Sequence, residues 1–151
     1  MPRSVRGGRV NTTLPGGAEG RAAVLQPDGK IVVVGWAHSP AEWLLLRYLP
    51  NGVLDPTFGA GGVVVTSAAP GVATDVVLSP SGHLTVAGTA ALQRFDTNGA
   101  LDPTFGGGGI VLFPSGVTGL SAVRQSDGSV VVAGAKTSGS GDDVWLARFD
   151  E

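Results

Sequence analysis

Three short runs, residues 31–35 (IVVVG), 84–88 (LTVAG) and 130–134 (VVVAG), are apolar at almost every position. A strand with one wet face alternates apolar and polar residues, so apolar side chains at both parities predict strands covered on both sides. Ile31, Val33, Leu84, Val86, Val130 and Val132 give one face its larger side chains. Val32, Val34, Thr85, Ala87, Val131 and Ala133 give the other its smaller ones.

Each run sits third in a set of four segments. A first, β-prone segment covers residues 9–13, 63–66 and 110–113, a second covers 22–26, 75–79 and 121–125, and the fourth covers 44–48, 91–95 and 145–149. Between the second and third lie PDG (27–29), PSG (80–82) and SDG (126–128). Pro presets φ, Asp or Ser bonds back to the backbone and Gly takes a positive φ, so each string predicts a hairpin turn. After the fourth segment, Asn51-Gly52 and Asn98-Gly99 lead into LDPTFGAGG (54–62) and LDPTFGGGG (101–109). The Gly-Gly pairs ending at Gly8, Gly62 and Gly109 open three copies, 54 and 47 residues apart. Internal repetition at this period is the mark of a repeat architecture. The expectation is one domain, 1–151, with blades at approximately 7–58, 61–105 and 108–151. Asp55 and Asp102 are expected to cap the Asp-Pro turns, and Phe58 and Phe105 to plug the seams between copies.

Composition narrows the class. In 151 residues, 42% are hydrophobic, 25 are Gly and 10 are Pro. That is too apolar for disorder and suits short strands joined by many tight turns, an all-β fold. A net charge of −2 with scattered charges offers no footprint for nucleic acid. The absence of Cys removes disulfides, thiolate chemistry and Cys-based zinc sites. No apolar run is long enough to insert in a membrane, and no apolar stretch follows MPRSVRGGRV to make a signal peptide.

The string LQPDGKIVVVG, then RY or RF, then NG, then LDPTFGxGG resembles the delta-60 repeat, a bacterial repeat family. The resemblance covers nearly the whole chain. The second copy departs from it, with Ser81 and His83 where the others have Asp28 and Lys30, Asp127 and Ser129. It implies a β-propeller of four-stranded antiparallel blades and an extracellular or surface location in a longer parent, and it defines no biochemistry. Strands covered on both faces point to the same stacked blades. Three blades are fewer than the four to eight of closed propellers. Two chains about a two-fold axis would make six, so a homodimer is expected.

Candidate chemistry concentrates where the copies differ. Residues 36–43 (WAHSPAEW) bring together Trp36, His38, Glu42 and Trp43; residues 135–144 bring Asp142 and Asp143 beside Trp145; the second copy lacks this loop. An aromatic platform beside polar groups suits a sugar ring or a peptide side chain, whereas Trp43 and Trp145, opening the fourth strand, also suit the core. His83 is read as a solvated turn residue. Arg47, Arg94 and Arg148 recur in every copy, which favours a structural bridge to a neighbouring blade over a guanidinium ring that recognises an anion. Asp142-Asp143 lacks the ligand spacing of a calcium loop, and GxSxG, P-loop and HExxH are missing. No catalytic residue, metal or cofactor is assigned. The expected function is a non-enzymatic scaffold or interaction module. A glycan-binding, lectin-like propeller and a hydrolase or lyase using His38 as base are the alternatives.

Overall fold

The computed structural model describes residues 8–38 and 40–150. Gly7 and Glu151, the outer bounds of the first and third copies, lie outside the described residues. Within them the chain is all-β, with no helix. Sheet 1 contains β1 (Ala18–Leu25), β2 (Ile31–His38), β3 (Ala41–Tyr48) and β4 (Val63–Thr66), antiparallel in that order. Sheet 2 repeats the order with β5 (Ala73–Leu78), β6 (Leu84–Gly88), β7 (Ala91–Phe95) and β8 (Ile110–Leu112). Sheet 3 has β9 (Val117–Arg124), β10 (Val130–Ser138) and β11 (Gly141–Phe149).

The four segments of one sequence copy do not make one sheet. The segment after each Gly-Gly pair crosses back to the preceding copy, so β4 pairs with β3 and β8 with β7. The sheets therefore run 18–66, 73–112 and 117–149, one strand out of step with the copies at 7–58, 61–105 and 108–151. The physical reason lies in the LDPTFG connector. It folds back at the turn end of the sheet, where the Arg47 N–H donates to the Gly62 carbonyl and the Arg94 N–H to that of Gly109, both at 2.9 Å. Residues 9–13, the first such segment, form no strand.

The hairpins follow the turn chemistry. Gly29, Gly82 and Gly128 adopt φ of 83°, 86° and 101°, which L side chains rarely reach. Each first strand then carries an extra residue opposite its neighbour, namely Arg21, Thr74 or Leu120. Gly35, Gly88 and Gly134 sit against these bulges, where a Cβ would run into the carbonyls of Glu19, Val72 and Thr118.

The sheets stack. β1 and β2 lie against β5, and β5 and β6 against β9, so the first strands converge. Between sheets 1 and 2 the core comprises Val32, Val34, Trp43, Leu45 and Phe58 against Val76, Leu84, Val86, Ala91 and Phe95. Between sheets 2 and 3, Ala87, Leu92 and Phe105 meet Ala122, Val130 and Val132, flanked by Phe113, Trp145 and Phe149. Both faces of the third-segment strand of sheet 2 are covered, as its double apolar pattern predicts.

Candidate functional site

Successive hairpins put the molecule's polar groups at two ends. At one end the first turns of sheets 1 and 2 meet the LDPTFG connectors. Arg47, buried on β3, donates from Nε to Asp55 Oδ2 at 2.8 Å, from Nη2 to Thr57 Oγ1 at 3.0 Å and from Nη1 to the Thr97 carbonyl of the next sheet's connector at 2.6 Å. Thr57 in turn gives its hydroxyl and backbone N–H to Asp55 Oδ1. Lys30 reaches the same carboxylate at 3.2 Å. The Thr57 hydroxyl, with the Thr57 N–H, Lys30 and Arg47, holds the Asp55 carboxyl far below the usual carboxylate range, against the opposing effect of burial.

The second copy repeats this. Arg94 donates to Asp102 at 2.8 Å and to Thr104 at 2.9 Å, and the Thr104 hydroxyl, with its N–H, lowers the Asp102 carboxyl. His83 takes the place of Lys30, with Nε2 3.4 Å from Asp102 Oδ2 and Nδ1 2.9 Å from Ser81 Oγ. Ser79 Oγ accepts the His83 N–H and lies 2.8 Å from Ser81 Oγ. His83 is thus a member of a polar cluster around a small cleft of about 180 Å³, rather than a freely solvated turn residue. In the third copy Arg148 pairs with Asp127 at 2.9 Å, and the Ser129 hydroxyl lowers the Asp127 carboxyl. Arg47 and Arg94 also lie over the rings of Phe58 and Phe105, 4.5 and 4.8 Å from their centroids. These guanidinium groups are engaged by their own carboxylates, and Arg47 makes the expected bridge to its neighbour. The sequence signal for the clamp is the Arg eight residues before Asp-Pro-Thr. The threonine's part in it was not anticipated.

The opposite end carries the β2–β3 and β10–β11 hairpins. Residues grouped together by the sequence separate here. Trp43 is 0% exposed, its indole N–H donating to the Pro70 carbonyl at 3.3 Å and its ring lying over Gly88, so it belongs to the core and not to a binding surface. Glu42 pairs with Ala37, and strand alternation puts it on the face away from Trp36 and Trp43. Trp36 and His38 do meet, with ring centroids 4.2 Å apart, and neither Trp36 Nε1 nor His38 Nε2 has a hydrogen-bond partner among the described residues. Asp142 and Asp143 are exposed neighbours on one strand and point to opposite faces, so they do not form a paired acid. Trp145 is half-buried against Phe113, with centroids 5.1 Å apart. Among the described residues no group of three or more His, Asp or Glu is placed to hold a metal ion.

A third feature was not legible as a site. The outward face of sheet 1, with Ile31, Val33, Leu44, Leu46 and Tyr48, borders a cavity of about 550 Å³ roofed by residues 10–12. Thr12 Oγ1 and the Tyr48 hydroxyl lie 2.7 Å apart across it.

Residues 26–58 and 79–105 match a family described as "Domain of unknown function (DUF5122) beta-propeller". The chain is a partial β-propeller. Its blades are the three sheets. Among solved structures it resembles a protein of unknown function from Bacteroides caccae, at 19% identity and a TM-score of 0.53, over 96% of this chain and 52% of that one. The chain thus spans about half the length of that protein. Among curated proteins no similar sequence is found. No helix among the described residues is long and apolar enough to cross a membrane.

Proposed function

We propose that this partial propeller is a non-enzymatic scaffold whose ring is completed by a second copy of the chain, giving a six-bladed homodimer that presents its hairpin end to a partner. One observation carries it. Val34–Leu45, Ala87–Leu92 and Ala133–Leu146 are the same register pair in three blades. Leu45 and Leu92, covered by the following blade, are 0% exposed, while Leu146 on the last blade is 67% exposed. On the other side Leu84 and Val130, covered by the preceding blade, are 0% exposed, while their counterpart Ile31 on the first blade is 37% exposed. Each end of the stack exposes an apolar side chain at a position that a neighbouring blade covers elsewhere in the chain, and a head-to-tail contact between such ends closes when the rotation per blade fits a ring. The delta-60 resemblance implies an extracellular or cell-surface location in a longer parent. Light scattering coupled to size exclusion is expected to give the mass of two chains; a stable monomer, or a mass that is not a multiple of two, overturns it.

A second function, glycan or peptide recognition at the hairpin end, is favoured by the unpartnered ring nitrogens of Trp36 and His38, whose rings meet at a tilt. A glycan array read with the parent chain and Trp36→Ala tests it. Signal lost in the variant supports it, and silence across the array removes the lectin form.

A further inference from the structure

The three blades leave one strand and one edge unmatched. Three segments follow a Gly-Gly pair: residues 9–13, β4 and β8. Three strands stand ready to receive one on their outer edge: β3, β7 and β11. β4 occupies β3 and β8 occupies β7, whereas among the described residues β11 pairs only with β10 and residues 9–13 join no sheet. Val10 is 57% exposed and Val144, on the bare edge strand, 93%. An edge strand with open N–H and C=O groups is a template for pairing.

Resting on the ring proposed above, we infer that residues 9–13 of each chain cross to the other and add as the fourth, outer strand of its third blade, pairing with β11. The register follows from the two filled blades. Leu46–Val63, Leu45–Val64 and Leu44–Val65 in blade 1, with Gln93–Ile110 and Leu92–Val111 in blade 2, place Arg9 opposite Ala147, Val10 opposite Leu146 and Asn11 opposite Trp145. The Arg148 N–H then donates to the Gly8 carbonyl, as Arg47 does to Gly62 and Arg94 to Gly109. The segment already lies over the outward face of blade 1, the face that meets the partner's third blade in a head-to-tail ring. The partner is a second copy, because β11 repeats the receiving strand and residues 9–13 the donated one.

The chain has no native cysteine, so engineered thiols report without background. The Arg47–Gly62 bond makes the next pair, Leu46–Val63, a non-hydrogen-bonded one, with Cα atoms ~4.5 Å apart, within disulfide range. Its counterpart is Arg9–Ala147. Under mild oxidation, a chain carrying both Arg9→Cys and Ala147→Cys is expected to run as a covalent dimer on a non-reducing gel, and one carrying Arg9→Cys and Ala133→Cys as single chains. Val10→Pro removes an N–H that the strand would donate to β11 and touches no ladder within its own chain. It is expected to keep the parent's circular dichroism and to weaken dimerisation about tenfold or more, the equivalent of one to two ladder bonds. A dimer that the Arg9→Cys, Ala147→Cys chain forms without a covalent link, together with Val10→Pro dimerising like the parent, overturns the strand exchange and leaves the ring standing. A monomer in every arm overturns both.

Discussion

Arg47 and Asp55 stand eight residues apart, and their side chains meet at 2.8 Å in a site where Arg47 is 4% and Asp55 1% exposed. The pair ties the receiving strand β3 to the connector that delivers its outer strand, and Arg94 with Asp102 repeats it one blade on. Removing one member of a buried pair leaves the other charge uncompensated. Asp55→Ala is therefore expected to cost about 3–5 kcal/mol in urea unfolding. Asp102→Ala costs less, because the Arg94 side chain is 13% exposed and regains water. Equal losses at the two positions would contradict the burial argument.

The same carboxylates set the acid limit. Asp55, Asp102 and Asp127 all have carboxyls lowered in the folded chain, chiefly by the hydroxyls of Thr57, Thr104 and Ser129. A depressed folded value means the unfolded chain takes up protons first. The stabilisation is whole above the unfolded value of about 3.9 and drains as pH falls through the folded values. Thermal midpoints are expected to hold from neutral pH down to about 5 and fall steeply below about 4. Asp55→Asn, less stable at neutral pH, is expected to show a shallower decline between about pH 4 and 2; parallel curves would refute the assignment to Asp55.

Much of this architecture was readable because a three-fold repeat supplies its own controls. The turn glycines, the two-faced apolar strands and the seam-filling Phe58 and Phe105 follow from comparing copies. The sheet boundaries did not, since a copy read from Gly-Gly to Gly-Gly is equally regular whether its first strand pairs forward or back; the β3–β4 and β7–β8 ladders, which open beside the Arg47 N–H to Gly62 carbonyl bond and its Arg94–Gly109 counterpart, decide it. The candidate site was legible only in part, for a related reason. Closeness along residues 36–43 suggested one constellation, yet strand alternation turns Glu42 away from Trp36 and Trp43, and burial takes Trp43 into the core.

Gly88 shows how closely the seam between blades is packed. A Cβ there would overlap the Trp43 indole and lie 2.6 Å from the Val72 carbonyl, at a bulge that neither partner can leave. Gly88→Ala is expected to lower stability by about 1–3 kcal/mol through overpacking. Gly139→Ala, with nothing within 4 Å of the new Cβ, is expected to be neutral or slightly stabilising. Chemical unfolding of both variants checks the contrast, and a harmless Gly88→Ala would mean the indole has room to move.

Gln93 carries a cost that the other blades avoid. It is 0% exposed and neither its Oε1 nor its Nε2 has a hydrogen-bond partner among the described residues, while its register counterparts are Leu46 and Ala147. A buried amide without partners costs about 1–3 kcal/mol by mutational measures, so Gln93→Leu is expected to raise stability by a similar amount. A loss of stability in urea unfolding would mean the amide is satisfied in solution.

Leu146 separates an open stack from a closed ring. In an isolated chain it is 67% exposed, and Leu146→Lys would change stability by no more than about 0.5 kcal/mol, as surface substitutions do. In the ring the same residue sits where Leu45 and Leu92 sit, fully covered, and a lysine there would have to be desolvated without a partner. The expected result is a variant that elutes as a monomer and whose thermal midpoint no longer rises with protein concentration, as the parent's should for a folded state coupled to association. Leu146→Ile, which keeps the apolar surface, is expected to preserve both the dimer and the concentration dependence. A lysine variant indistinguishable from the parent in mass and midpoint would place Leu146 in water and remove the head-to-tail interface.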